Sequence, residues 1–501
     1  MAPSPAALDP RTPVVVAVGQ VDQRTDDLDA AREPTALLAE AARAAAADAG
    51  STRLLGAIDT FAVVHILSHH YPDPAAVVAA ELGVHPARTI ATDDGGNYPQ
   101  TLLNRACAEI RSGASEAWLI GGAEAWRTRQ AARAAGHHLR WTDQGPSVAP
   151  TESVSNHHEL IHPGEWARGV VLPATSYALF ENALRAAEGW TIDEHRDRLA
   201  ALYARFNEVA VANPHAWIRT PWTAAEIREP SPRNRMVGFP YTKVMNANNA
   251  VEQAACFVVT SVGRARELAI ATDRWVFPWA GSDAHDHWFV SNRWSLASAP
   301  ALGIAGRAAL GLAGVDVDDL AHVDLYSCFP SAVQIAAAEL GLGVDRDLTV
   351  TGGLSFAGGP WNNYVSHSIA TMVERLRADA GALGLVTANG GYLTKHGFGV
   401  YSTEPPPQPW RHASPQAEVD ALPCRELAEV VDEDADAAVE SGVVMHGRDG
   451  EPERVVVSTL LADGRRAWAG SSDPATMARF LVEETVGVPV RVDAEGELRF
   501  R

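Results

Sequence analysis

Residues 91–124 read A-T-D-D-G-G-N-Y-P-Q-T-L-L-N-R-A-C-A-E-I-R-S-G-A-S-E-A-W-L-I-G-G-A-E, and residues 356–391 read F-A-G-G-P-W-N-N-Y-V-S-H-S-I-A-T-M-V-E-R-L-R-A-D-A-G-A-L-G-L-V-T-A-N-G-G. Each stretch is a glycine pair, a helical run, an apolar strand and a second glycine pair. A helix that opens directly behind Gly95 and Gly96 aims its free N–H groups and positive dipole end at whatever sits there. Two such units, about 260 residues apart, predict an α/β protein with an internal duplication. Related units of this kind often face each other across a cleft at the carboxyl ends of their strands.

The flanking segments repeat the order. Residues 12–19 read as a buried strand, 36–49 as an alanine-rich helix stopped by Gly50, and 58–64 as a strand. Residues 77–82 read as helical, 89–91 as extended and 118–120 as a strand. In the second unit, 305–313 reads as a helix stopped by Gly314 and 323–329 as a strand. Gly50 precedes Asp59 by nine residues and Gly314 precedes Asp324 by ten, which puts I-D-T-F-A-V-V and V-D-L-Y-S-C-F in matching places. Between the halves, 126–235 is rich in His, Trp, Pro and Arg, with helical stretches at 177–187 and 195–211. It reads as an insertion over the core, after which 246–260 resumes the first half.

From residue 404, E-P-P-P-Q-P-W opens a semi-rigid linker, with an acidic run at 432–436. Extended segments at 443–445, 454–461 and 465–469 alternate with D-G turns at 449–450 and 463–464. A helix at 474–484 and a hairpin over 488–500 complete a small domain, for which a barrel or sandwich of the oligonucleotide/oligosaccharide-binding type fits. The chain thus divides into a first half (1–125 and 236–275), an inserted loop domain (126–235), a second half (276–403), a linker (404–437) and a β-rich C-terminal domain (438–501).

A chain of 501 residues holds several domains and a large core. Its formal charge of −21 argues against a nucleic-acid partner, which needs a basic face. Cys107, Cys256, Cys328 and Cys424 are scattered with no C-x-x-C spacing, which favours a reducing compartment. The N-terminus has no basic region leading into an apolar core, and no run approaches the roughly 20 apolar residues of a membrane span. These features predict a cytoplasmic protein. His158-Glu159-Leu160-Ile161-His162 matches the zinc-hydrolase pattern H-E-x-x-H, but Pro163 and Gly164 follow at once and deny the histidines a shared helix face. No metal is expected.

The blocks, taken in order, resemble the thiolases. Residues 94–124 are similar to the thiolase stretch in which a helix runs through I-x-x-G to a strand ending G-G-x-E, with Ile110, Gly113 and Gly121 in step. V-D-L-Y-S-C-F at 323–329 resembles the strand that reads N-E-A-F in most thiolases and H-D-C-F in the sterol-carrier-protein thiolases. T-G-G-L-S-F-A-G-G-P at 351–360 resembles G-G-x-x-x-x-G-H-P, and G-L-V-T-A-N-G-G at 384–391 the block carrying a second cysteine. With its β-rich tail the chain is most similar to thiolase-like proteins with an added C-terminal domain. The resemblance implies a five-layer αβαβα fold of two pseudo-symmetric halves and a loop domain that helps bind coenzyme A. It also implies a nucleophilic cysteine at a helix mouth, a histidine that activates it, a second cysteine that moves a proton, and an oxyanion hole.

At every catalytic place the sequence departs from the family. The nucleophile position is Gly96, the histidine position Gly359, the second-cysteine position Asn389, and the strand block offers Tyr326 with Ser327 beside it. Candidates to carry chemistry instead are Cys328, Tyr326, Asn389 and His396; Asn97, Asn362, Asn363 and Lys395 are candidate substrate-binding residues. Cys107 lies about 16 Å along its helix from Gly96, and His367 about 12 Å from Gly359, too far to substitute. The reading is a thiolase-like acyl-CoA-binding protein of the acyltransferase family in lipid metabolism, without conventional thiolase activity. Coenzyme A or acyl-CoA is its expected ligand, with no covalent cofactor. The alternatives are a non-catalytic acyl-CoA scaffold or sensor, and a divergent condensing enzyme acting through Cys328. The resemblance implies a homodimer unless the added domain blocks it, and that domain is a candidate partner module.

Overall fold

The computed structural model describes residues 8–429, 431 and 434–501. The first seven residues of the N-terminus, and Asp432 and Glu433 of the acidic run, lie outside the described residues. The first sheet holds β1 (Pro13–Asp22), β2 (Thr60–Val63), β3 (Arg88–Thr92), β4 (Ala117–Ala125), β5 (Glu152–Val154) and β8 (Glu252–Ser261), in the order β1-β8-β4-β2-β3-β5. The second holds β9 (Phe277–His285), β10 (Leu320–Asp324), β11 (Leu383–Gly390), β12 (Lys395–Ser402) and β13 (Arg411–Ala413), in the order β10-β11-β12-β9-β13. Helices cover both faces of each sheet, so strands such as V-V-V-A-V at 14–18 are buried throughout rather than alternating.

The layers follow from what touches what. Helices α1 (Pro34–Asp48) and α2 (Pro74–Leu82) cover the outer face of the first sheet, and α10 (Pro300–Ala313) that of the second, with α11 (Pro330–Leu340) packed against α10. Between the sheets run α3 (Tyr98–Ser112) and α13 (Tyr364–Ala378), each packed against both. This is a five-layer αβαβα arrangement. The halves repeat one pairing scheme: β1 and β4 flank β8 antiparallel while β4 runs parallel to β2, and β9 and β11 flank β12 antiparallel while β11 runs parallel to β10.

The matching places of Asp59 and Asp324 hold in the register. Asp59, just before β2, donates its N–H to Ala117 O, four residues before Gly121 of β4, and Asp324 stands opposite Val386, four residues before Gly390 of β11. Two places beyond β2 and β10, the backbone N–H groups of His65 and Tyr326 donate to the hydroxyls of Thr92 in β3 (3.1 Å) and Thr387 in β11 (2.8 Å). Asp324 is wholly buried and accepts from the backbone of Val350 (2.8 Å) and Thr351 (3.2 Å) and the hydroxyls of Thr349, Tyr364 and Ser368. A buried carboxylate is tolerated only with such saturation, and here it fastens β10 to α13.

The insertion contributes α4 (Trp126–Ala135), α5 (Pro163–Ala167), α6 (Pro173–Glu188), α7 (Ile192–Ala212) and α8 (Ala224–Arg228). Shorter helices α9 (Val262–Glu267), α12 (Gly353–Phe356) and α14 (Gln416–Asp420) serve as connectors. A third sheet holds β14 (Ala435–His446), β15 (Pro452–Leu461), β16 (Arg466–Ser471), β17 (Pro489–Val492) and β18 (Leu498–Phe500), in the order β16-β15-β14-β17-β18. A parallel bridge from Gly470 to Glu497 joins its ends, and α15 (Pro474–Val482) lies between the third and fourth strands. Five strands closed with a helix at that point form a barrel of the oligonucleotide/oligosaccharide-binding type. The hairpin β6 (Met236–Gly238) and β7 (Tyr241–Thr242) joins this sheet through Gly238 opposite Met445, although 236–242 reads in sequence as the return to the first half. Likewise β13 and α14 occupy part of the stretch that reads as a linker.

The barrel is fastened to the core by a buried charge. Arg466 is fully buried; its Nη1 donates to the carbonyls of Val290 (3.2 Å), Ser291 (2.6 Å) and Arg293 (2.7 Å), and Nε and Nη2 to Glu440 (2.7 and 2.6 Å). Trp468 adds an indole N–H to Ser291 Oγ at 2.8 Å. Arg466→Ala strands Glu440 and three carbonyls together, and is expected to lower unfolding free energy by about 3–5 kcal/mol, read from the urea midpoint.

Candidate functional site

The helix mouths of the two halves meet where no side chain fits. A Cβ on Gly95 would lie 2.5 Å from Asn97 Oδ1 and 2.7 Å from Lys395 Nζ. One on Gly390 would lie 2.5 Å from the same Oδ1 and 3.3 Å from Gly95 Cα. The glycine that opens α3 thus packs directly against the glycine that ends β11. Asn362 ties the mouths together: its Oδ1 accepts from Gly95 N (2.9 Å) and its Nδ2 donates to His65 O and Asp94 Oδ1, both at 3.1 Å. Asn363 Nδ2 donates to Gly122 O (2.6 Å) and Ala255 O (3.3 Å), crossing to the first sheet.

The space in front of Gly96 is filled. A Cβ there would lie 2.6 Å from the Tyr326 hydroxyl and 2.5 Å from the Asn389 carbonyl. Tyr326 meets the edge of Tyr364, with ring centroids 5.5 Å apart. At Gly359 a Cβ would approach Asn249 Oδ1 at 3.0 Å, and the Gly359 N–H donates to Asn248 O at 2.9 Å. Asn389 Nδ2 donates to the Tyr177 hydroxyl at 2.8 Å, while its buried Oδ1 has no partner. Tyr177 comes from α6 of the insertion, stacks on Phe329 at 4.6 Å, and also accepts the Leu393 N–H at 3.2 Å. Cys328 sits within hydrogen-bonding reach of Tyr177 and Asn389, and burial pushes its thiol up to about 12. Tyr177 was not legible as a site residue. It lies in a separate segment, inside an ordinary apolar helix.

The remaining candidates take other places. His396 is buried with neither ring nitrogen hydrogen-bonded, and burial holds it down to about 4. His367 donates from Nδ1 to Gln20 Oε1 (2.8 Å) and is held down to about 3, also by burial. Lys395 donates to Asp94 O at 2.5 Å and lies 5.0 Å from the Tyr98 ring centroid; burial lowers its pKa. Asn97 Nδ2 reaches Thr101 Oγ1 at 3.2 Å, and its Oδ1 is buried without a partner. Cys107 is wholly buried within α3. Of the H-E-x-x-H residues, His158 stacks on Trp288 at 4.3 Å in a loop, and His162 caps α5 by accepting the Gly164 N–H at 3.0 Å. The two histidines share no helix face. Among the described residues no group of three or more His, Cys, Asp or Glu is placed to hold a metal ion.

Two pseudo-symmetric halves in five layers, with paired helix mouths between them, define a protein of the thiolase fold. Comparison with known proteins agrees and narrows it. The chain is similar to the crystal structure of a monomeric SCP2-thiolase like protein type 1 from Mycobacterium smegmatis, at 30% identity and a TM-score of 0.83, covering 99% of this chain and 100% of that one. Residues 415–497 match the family described as the thiolase-like protein type 1 additional C-terminal domain. The chain belongs to the SCP2-thiolase-like proteins of type 1. The fold alone is shared with an Ltp2-ChsH2(DUF35) aldolase (18% identity, TM-score 0.59, 78% of this chain and 98% of that one). It is likewise shared with an acetyl-CoA acetyltransferase from Syntrophomonas wolfei (16%, 0.56, 78% and 99%). No match was found among curated proteins.

Gly96→Ala is expected to destabilise the fold by about 1–3 kcal/mol through overpacking, measured by urea denaturation. A second expectation concerns pH. The folded pKa of His396 lies below the ordinary 6.5, so the unfolded chain takes up a proton first on acidification. The stability due to neutral His396 is complete above pH 6.5 and is lost progressively toward pH 4. Urea midpoints measured across that window should fall less steeply for His396→Leu than for the unsubstituted chain.

Proposed function

We propose that this chain is a non-catalytic member of the thiolase superfamily, its former reaction centre filled by its own side chains. The observation that carries the reading is the Tyr326 hydroxyl standing 2.6 Å from where a nucleophile's Cβ would be, with Tyr177 from the insertion packed beside it. Thioester exchange needs a thiolate, a base and room for a tetrahedral carbon. Gly96 and Gly359 supply neither thiolate nor base, and the tyrosines take the room. Of the readings left open by the sequence, this supports the scaffold or sensor over an acyl-CoA-processing enzyme.

A condensing enzyme acting through Cys328 finds less support. With its thiol raised to about 12, only on the order of one molecule in 100,000 carries the thiolate at pH 7. The same environment gives the sulfur no open approach, since Cys328 is buried against Tyr177 and Asn389.

The association state belongs to the same proposal. β3 would be an open edge of the first sheet, but β5 of the insertion pairs along it. The edge then belongs to β5, and a strand only three residues long is a poor template for strand-to-strand association. The similar protein from Mycobacterium smegmatis is described as monomeric, and a monomer rather than a homodimer is proposed here. Among the described residues no helix is long and apolar enough to cross a membrane. A cytoplasmic location is proposed on the four free, scattered cysteines.

Thiolysis of acetoacetyl-CoA should be absent, and mass spectrometry after incubation with acetyl-CoA should show no acetyl adduct on Cys328. Steady turnover together with that adduct would overturn the reading. Light scattering should give the mass of one chain.

A further inference from the structure

Beside the mouth of α3, and outside the filled centre, lies a cavity of about 340 Å³. Lys395, Asp94, Glu159, Leu160, Ile161 and Trp166 line it. Its charges are unevenly satisfied. Lys395 is only 5% exposed, and its ammonium has three N–H donors. One donates to the Asp94 carbonyl and the stem lies against Tyr98; among the described residues the ammonium forms no ion pair. Asp93 and Asp94 attract it from beyond ion-pair distance, which leaves its other N–H donors open to an acceptor from elsewhere.

The carboxylates of the cavity are also partly free. Asp93 uses both oxygens internally, on the Tyr98 hydroxyl, Ser155 Oγ (2.6 Å) and Asn156 N (3.2 Å). Asp94 directs Oδ1 to His65 and Asn362, leaving Oδ2 without a hydrogen bond. Glu159 is exposed, and its carboxylate has no partner. Leu160, Ile161 and the indole of Trp166, 58% exposed, supply apolar surface in the same cavity.

We propose that this cavity binds a free amino acid with an apolar side chain, its carboxylate on Lys395 and its ammonium on Asp94 and Glu159. The charge balance selects this class. A plain carboxylate or a polyphosphate would meet Asp93, Asp94 and Glu159 around a single ammonium, a field that repels anions. A plain amine would leave Lys395 buried and unpaired. A zwitterion answers both signs, and Leu160, Ile161 and Trp166 receive the side chain. The site does not use Gly96, Cys328 or Tyr326, so it stands whether or not the former centre is inactive.

Calorimetry on the full chain with L-phenylalanine and L-leucine tests it, with phenylacetate and phenethylamine as single-charge controls. L-phenylalanine should bind saturably, and each control at least about tenfold more weakly. Lys395→Met should weaken L-phenylalanine binding by about tenfold or more while strengthening that of phenethylamine. Glu159→Gln, on an exposed loop where folding is not at stake, should weaken it several-fold. Absence of saturable binding up to about 10 mM overturns the proposal. So does unchanged affinity in Glu159→Gln, or displacement of L-phenylalanine by coenzyme A. None of these outcomes bears on the thiolysis assay, so the two readings fail separately.

Discussion

Two backbone turns, one from each half of the molecule, touch at Gly95 and Gly390 with no room for a methyl group. Everything near the centre is set by that contact. It brings the mouth of α3 against the end of β11, lets Asn362 hydrogen-bond to both Gly95 and Asp94, and fixes Lys395 beside Asn97. Glycine is required here for closeness and not for turn geometry, since neither Gly95 nor Gly390 has a positive φ. Beside that contact Tyr326 fills the space in front of Gly96.

The centre is therefore filled by side chains and heavily cross-braced. Asn389, Tyr177 and Cys328 bond among themselves, Tyr177 and Phe329 stack, and Asp324 gathers donors from a loop and from α13. Burial drives Cys328 and His396 toward their neutral forms. The centre is braced rather than saturated, since Asn389 Oδ1 and both ring nitrogens of His396 have no partner. Charged groups with donors or acceptors open to a ligand stand at Lys395, Asp94 and Glu159, on the other side of the α3 mouth.

How much of this could be read from the chain differs by element. The duplication was legible because glycine pairs recur around similar helical runs, the five layers came only with the resemblance to thiolases, and the D-G turns marked a β-rich C-terminal domain without deciding between barrel and sandwich. The matching places of Asp59 and Asp324 were legible by counting from the preceding glycine, but the donors that each carboxylate gathers were not. Tyr177 was invisible too: its contacts with Asn389, Leu393 and Phe329 span more than 150 residues. Local pattern carries no information at that range. The loss of the expected nucleophile was plain at Gly96, but what had replaced it required a structure.

The pairing of Gly238 with Met445 has a consequence in time rather than in space. A ribosome making this chain releases β6 and β7 about 200 residues before β14, at roughly 5–20 residues per second. The insertion therefore waits some tens of seconds for the strand it must join, and so does the loop after β9 that Arg466 will clasp. The C-terminal barrel thus fastens segments that were made well before it.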